Sequence, residues 1–180
     1  MRYSETMERF SDMLSVGGKT NSLGRANDVV QIVLDDQTRL DELFACMFHD
    51  DAWVRMRAID SFEKICRVHP LWIEPYVEKL LRDLADCTQP SILWHLAEIF
   101  IQVRLTDDQQ TRVTAWLRQL LSTVQVDWIV SANAMKAVTY FMNKGAMTRD
   151  EVRELLQIQQ GHHSKSVRKK ATQVLELLDN

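Results

Sequence analysis

Residues Asp51–His69 read DAWVRMRAIDSFEKICRVH. Counted from Val54, offsets 0, 4, 8 and 11 hold Val54, Ala58, Phe62 and Ile65, all apolar. The same offsets from Ile92 give Ile92, Leu96, Phe100 and Val103; from Val130, Val130, Ala134, Val138 and Phe141; from Val167, Val167, Ala171, Leu175 and Leu178. The four starts lie 38, 38 and 37 residues apart. At 3.6 residues per turn these offsets share one side, so each stretch is expected to be a helix with one buried face. A helical pattern returning at this interval marks stacked helical hairpins, each burying its apolar face against the next.

Between the four copies lie partner helices, expected at Asp36–His49, Leu71–Asp86, Asp107–Leu121 and Arg149–Gln160. Thr106 with Gln109 and Thr148 with Glu151 have the spacing of capping boxes. Pro70 suits a first helical turn, whereas Pro75 lacks the N–H a helix interior needs and predicts a late start or a kink. Asp51, Thr88, Asp127 and Ser164 are suitable N-cap residues for the second helices. Ahead of the array, Ser4–Leu14 and Arg25–Leu34 carry amphipathic stripes and read as an N-terminal helical cap, residues 1–35. The repeats follow over 36–69, 70–105, 106–145 and 146–180.

The chain has 180 residues, 46% of them hydrophobic and 26% charged, which places it among globular rather than disordered chains. Five Gly and three Pro leave few breakers, in keeping with an all-α class. The formal net charge of −3 disfavours a general nucleic-acid binder. Met1–Leu14 lacks the unbroken apolar core of a signal peptide, and Ser91–Val103 is too short and too polar to span a bilayer. Cys46, Cys66 and Cys87 form no CxxC pair, and reduced thiols in a cytoplasmic protein are expected.

Asp50-Asp51-Ala52-Trp53-Val54-Arg55 resembles the Asp…Val-Arg signature of HEAT repeats, and Ser164-Lys165-Ser166-Val167-Arg168 is a partial second match. The resemblance covers about residues 36–180. It implies a right-handed superhelical α-solenoid of about four helical-hairpin repeats, with the second helices lining a concave surface that binds protein or peptide partners. Where the signature has Arg, the other two units have Leu93 and Ser131, so a continuous Asp–Arg ladder between repeats is not expected.

Opposite the apolar stripe, offsets 2, 6, 9 and 13 form the expected floor of that surface. Among these, Met56, Asp60, Arg67, Trp94, Glu98, Ile101, Lys136 and Lys169 are candidate partner-binding residues, with Arg57 beside them. Trp94 and Ile101 stand out as apolar where neighbouring units are mainly polar, the composition of an interaction hot spot. Arg57, Arg67 and Lys136 are placed to meet acidic groups on a partner. The first helices carry net acidic charge and the second helices net basic charge, which favours such a partner.

Other chemistry has less behind it. Gly17-Gly18-Lys19-Thr20 looks like the end of a phosphate-binding loop, but Met13 stands where its first glycine belongs and no strand precedes it. Adjacent His162 and His163 lack further ligands at zinc spacing. Catalytic signatures and any call for a cofactor are absent from the sequence, and a non-enzymatic scaffold is expected. The alternative is nucleic-acid binding or DNA repair. A class of DNA alkylpurine glycosylases is built from HEAT-like repeats, and Trp53, Asp60, Trp94 and Glu98 give a superficial similarity to its floor. Self-association through an array end is a third reading.

Overall fold

The computed structural model describes residues 7–17 and 22–179, and the side chain of residue 179 is not described. Residues 4–6 of the first expected helix, and Gly18, Lys19 and Thr20 of the glycine loop, lie outside these. Among the described residues the chain is helical, with no strand. The α-helices are α1 (Phe10–Ser15), α2 (Ala26–Asp35), α3 (Leu40–Ala45), α4 (Ala52–Val68), α5 (Pro70–Ile73), α6 (Val77–Asp83), α7 (Pro90–Phe100), α8 (Asp107–Leu121), α9 (Trp128–Asn143), α10 (Arg149–Gln159) and α11 (Lys165–Asp179). They fall into two compact units, Met1–Trp72 and Ile73–Asn180.

The four periodic stretches are α4, α7, α9 and α11, apart from Val103 just beyond α7. All sixteen of their apolar positions are buried; the most accessible is Leu175, at 8%. Burying a Val, Leu, Ile or Phe side chain contributes about 1.5–3 kcal/mol, so this stripe outweighs local helix propensity.

Local chemistry sets the helix ends. Both expected capping boxes form: Thr106 Oγ1 accepts from Gln109 N at 3.2 Å and Thr148 Oγ1 from Glu151 N at 3.2 Å, each with the reciprocal bond. Asp51 and Asp127 cap α4 and α9 by accepting from Trp53 N and Ile129 N. Thr88 is not a cap. Helix α7 begins at Pro90 after Gln89, because proline's fixed φ and missing N–H suit the first helical position. Two expected first helices are broken. Around Pro75 the chain tightens to a 3-10 turn, Glu74–Tyr76, between α5 and α6, where proline removes a backbone donor. Around α3, 3-10 turns form at Gln37–Arg39 and Cys46–Phe48; the first starts on Asp36, whose carboxylate accepts from Thr38 N.

In the first unit α4 is the central helix and packs against α2, α1 and α3. Its core includes Phe10, Leu14, Val29, Leu43, Met47 and Phe62. In the second unit the helices form two rows. Helices α6, α8 and α10 are successive neighbours in one, and α7, α9 and α11 in the other. The hairpins α8–α9 and α10–α11 join the rows. On the first row Glu78 pairs with Arg112 at 2.6 Å and Arg118 with Glu151 at 2.9 Å. These half-exposed pairs are worth about 0–1 kcal/mol each, so they align the helices more than they hold them.

Candidate functional site

The candidate residues on α4 belong to the first unit. Met56 and Asp60 are half-buried, and Asp60 pairs with Lys64 at 2.8 Å. Arg67 is exposed and pairs with Glu63 at 2.6 Å, one helical turn away. Arg57 is 3% exposed. Its Nη1 donates to Leu14 O at 2.7 Å and its Nε to Ser22 O at 2.8 Å. Gly17 lies so near that an added Cβ would stand 1.9 Å from Arg57 Nη2. The structure therefore removes Arg57 from the surface expected to meet a partner's acidic groups. It sits on the flank of α4 that faces Leu14, Gly17 and Ser22, where the Leu14 and Ser22 carbonyls take its donors.

In the second unit, three successive helices bring a charged cluster together. Glu98, on α7, is buried, and both its oxygens accept from Lys136 Nζ on α9, at 2.9 and 2.7 Å. Lys136 remains about half exposed. Lys170, on α11, is half-buried beside them. Burial pushes its ammonium below the ordinary lysine range, Lys136 adds repulsion, and Glu98 partly offsets both. Lys169 is exposed next to it. Sequence reasoning missed Lys170 because it stands at offset 3, off the expected floor. The available signal was its place next to Ala171, a core position of the apolar stripe.

Trp94 is half-buried, with its ring stacked on His95 at 3.4 Å between centroids, and Ile101 is half-buried just past the end of α7. Trp53 and Trp128, near the starts of α4 and α9, are more exposed than Trp94. The carboxylates considered for glycosylase-like chemistry are both ion-paired, Asp60 with Lys64 and Glu98 with Lys136.

The histidine pair has a structural role. His162 is buried; its Nδ1 accepts from Ser164 N at 3.0 Å and its Nε2 lies 2.8 Å from Val126 O. Both ring nitrogens are engaged, which leaves none for a metal. Near α4, His49 Nδ1 likewise accepts from Asp51 N at 3.0 Å. The signature arginines follow the same plan. Arg55 Nη1 donates to His49 O and Asp50 O at 2.7 and 2.8 Å. Arg168 Nη1 donates to His162 O and His163 O at the same two distances. The signature is thus a clamp: the arginine one residue into the apolar stripe folds back on the turn that leads to it.

Among the described residues no helix is long and apolar enough to cross a membrane. No curated protein and no solved structure matches the chain. A family model described as HEAT repeat domain matches residues 11–176, which takes in the clamped turns and all four apolar stripes except Leu178. The chain belongs to the HEAT repeat family, helical repeat scaffolds that generally lack catalytic activity and often mediate protein interactions.

Proposed function

We propose that this chain is a non-enzymatic cytoplasmic scaffold that binds a protein or peptide partner through the exposed face of its second helices. The observation that carries this reading is the cluster on α7, α9 and α11. Lys136 and Lys169 present exposed ammonium groups there, and Lys170 is half-buried beside Lys136 and the Glu98 carboxylate that Lys136 bridges. An acidic group on a partner relieves that excess of positive charge, and Trp94 and Ile101 supply apolar area beside it. Met56, Asp60 and Arg67 extend the same reading to α4. The 38-residue spacing supports about four hairpin repeats with α1 and α2 as cap, the family resemblance implies a right-handed sense, and the free buried thiols of Cys46 and Cys66 fit a reducing compartment.

Nucleic-acid binding has less behind it. Of the dense basic run Lys165, Arg168, Lys169 and Lys170, Arg168 is tied to turn carbonyls and Lys170 is half-buried. Phosphate tracking needs several accessible cations in a row.

The test is affinity capture from native lysate with wild type and with a Trp94→Ala, Lys136→Ala double variant, checked by circular dichroism for folding. Loss of specific partners from a folded variant supports the reading, and an unchanged set of partners overturns it. A salt series on random duplex DNA checks the alternative: absence of binding at low salt is expected, and steeply salt-dependent binding would favour nucleic acid.

A further inference from the structure

Where the ends of α7, α8 and α9 meet, they enclose a cleft of about 400 Å³. Its floor is underlain by Phe100 and Phe141, two core positions of the apolar stripe that are only 1% and 2% exposed. Leu105 and Tyr140, both half-buried, line it higher up, and Tyr140 meets Phe141 edge to face at 5.3 Å between centroids. Two cations line it as well. Arg104 is 82% exposed and is anchored by Glu74, to which its Nε donates at 3.0 Å. Lys144 is exposed, with its ammonium 5.7 Å from the centroid of Tyr140. Neither Glu98 nor Lys136 lines this cleft, so it is separate from the surface proposed above.

A volume of this size is at the lower end of those that hold small ligands, and it admits one or two large apolar side chains. Aromatic faces make a good seat for such a side chain. Glu74 neutralises one of the two positive charges and fixes the guanidinium in place, but a guanidinium has five N–H donors, more than one carboxylate can use. Lys144 adds a second cation with no carboxylate within ion-pairing distance among the described residues. The combination of an aromatic floor and a cationic lip selects for an apolar group flanked by negative charge.

We propose that this cleft seats a Phe or Leu side chain of an acidic segment of a partner protein, whose adjoining Asp or Glu carboxylates pair with Lys144 and Arg104. The cleft supplies the apolar anchor and the two cations set the direction of the segment. This occupant does not depend on the Trp94 and Lys136 surface and would stand if that surface bound nothing.

The test is fluorescence anisotropy with the intact chain and a dye-labelled nine-residue peptide of alternating Asp and Glu with Phe at its centre. Parallel peptides carry Ala at the centre, or Lys in place of the acids. Saturable binding of the Phe peptide is expected, weakened about tenfold or more by the central Ala, by the basic flanks and by Lys144→Glu, and left unchanged by Lys79→Glu, a charge reversal at an exposed lysine outside both surfaces. Lys144 is exposed, so its variant is expected to fold, and a thermal melt checks this. Amide chemical shifts that move at Leu105 and Tyr140 give a second readout. Failure of the peptide to bind overturns the proposal, as does equal binding of the Phe and Ala peptides or indifference to Lys144→Glu. Sensitivity to Lys136→Glu in place of Lys144→Glu also overturns it, and assigns the peptide to the other surface.

Discussion

The turns into α4 and α11 stand in different units and share no run of sequence longer than Val-Arg, yet they are built alike. In each, a histidine Nδ1 accepts the backbone N–H two residues on, and an arginine reaches back to two consecutive turn carbonyls. The turns into α7 and α9 have Leu93 and Ser131 where the arginines stand. At α9 the gap is filled from another helix. Buried Gln159, on α10, accepts from Ser131 Oγ at 2.8 Å and donates to Leu121 O and Thr123 O at 2.9 Å each. One family thus satisfies the same class of exposed-end carbonyl in two ways. A charged clamp reaches it locally through a long side chain, and a neutral amide reaches it through the packed interface. The first needs only its own helix, whereas the second makes the turn depend on the neighbouring repeat.

The strongest way to break this comparison is Gln159→Ala. It strands the Leu121 and Thr123 carbonyls and the Ser131 hydroxyl in a buried site, and is expected to cost about 3 kcal/mol in urea unfolding, since each unsatisfied buried group costs about 1–3 kcal/mol and some are recovered by water. The paired variant Ser131→Ala, Gln159→Leu is expected to cost less than the two single changes added together, because it removes donor and acceptor at once. Additive losses would show that the Ser131–Gln159 bond contributes nothing and that Gln159 acts through Leu121 O, Thr123 O and its packing.

Next in size are Arg55→Ala and Arg168→Ala. Each removes two charge-assisted bonds to carbonyls that are partly hydrated, for an expected loss of about 1–2 kcal/mol. The comparison is sharpened by their equality: a difference above about 1 kcal/mol would mean that the two turns match in geometry but not in energy. Lysine at either position is expected to restore less than half of the loss, because the observed bonds depend on a guanidinium Nη1 held between two carbonyls by its planar fork.

The parts of this arrangement that follow helical period were legible in the sequence. The spacing of Val54, Ile92, Val130 and Val167 located four helices and their buried faces, since burial of a periodic stripe is a local property of each helix. The capping boxes at Thr106 and Thr148 were equally local. What escaped depends on contacts remote in sequence. The two-fold bond of Glu98 to Lys136 spans 38 residues, and the burial of Arg57 depends on carbonyls 43 and 35 residues away. An arginine one position from the expected floor looks like surface until the loop it serves is known. The structural role of His162 was hidden for the same reason: beside its local bond from Ser164 N, its Nε2 lies against Val126 O in another hairpin.

Lys170 extends the comparison from turns to the charged face. Its ammonium is shifted down mainly by burial, so the folded chain releases the proton more readily than the unfolded chain does. Between the folded value and the ordinary value of 10.5 the unfolded state holds more protons, and stability contributed by this group rises with pH. At neutral pH the charged form therefore costs stability. Lys170→Met is expected to raise Tm at pH 7, by an amount held small because solvent still reaches the half-buried ammonium. The gain should shrink as pH approaches 10.5, and a gain that is constant with pH would assign it to packing instead.

The smallest effect concerns reactivity and bears on the turn into α7, which has Leu93 in place of the clamping arginine. Cys87 lies in the segment before α7, half-buried, with its thiol only 3.9 Å from Gln89 O. Cys46 and Cys66 are buried in the first unit, and burial pushes their thiols up to about 11 and about 12. Alkylation requires the thiolate, so at pH 8 both are protected twice, by protonation and by the core around them. Iodoacetamide is expected to modify Cys87 first, followed by mass spectrometry of the intact chain, with Cys46 and Cys66 labelled only as the first unit opens. Because Leu93 stands where the turns into α4 and α11 have their clamping arginine, the turn into α7 should open more cheaply than those two and should set the Cys87 rate. Labelling of Cys66 at the same rate as Cys87 would mean that α4 opens as readily as that turn, and the clamp at Arg55 would then confer no local rigidity.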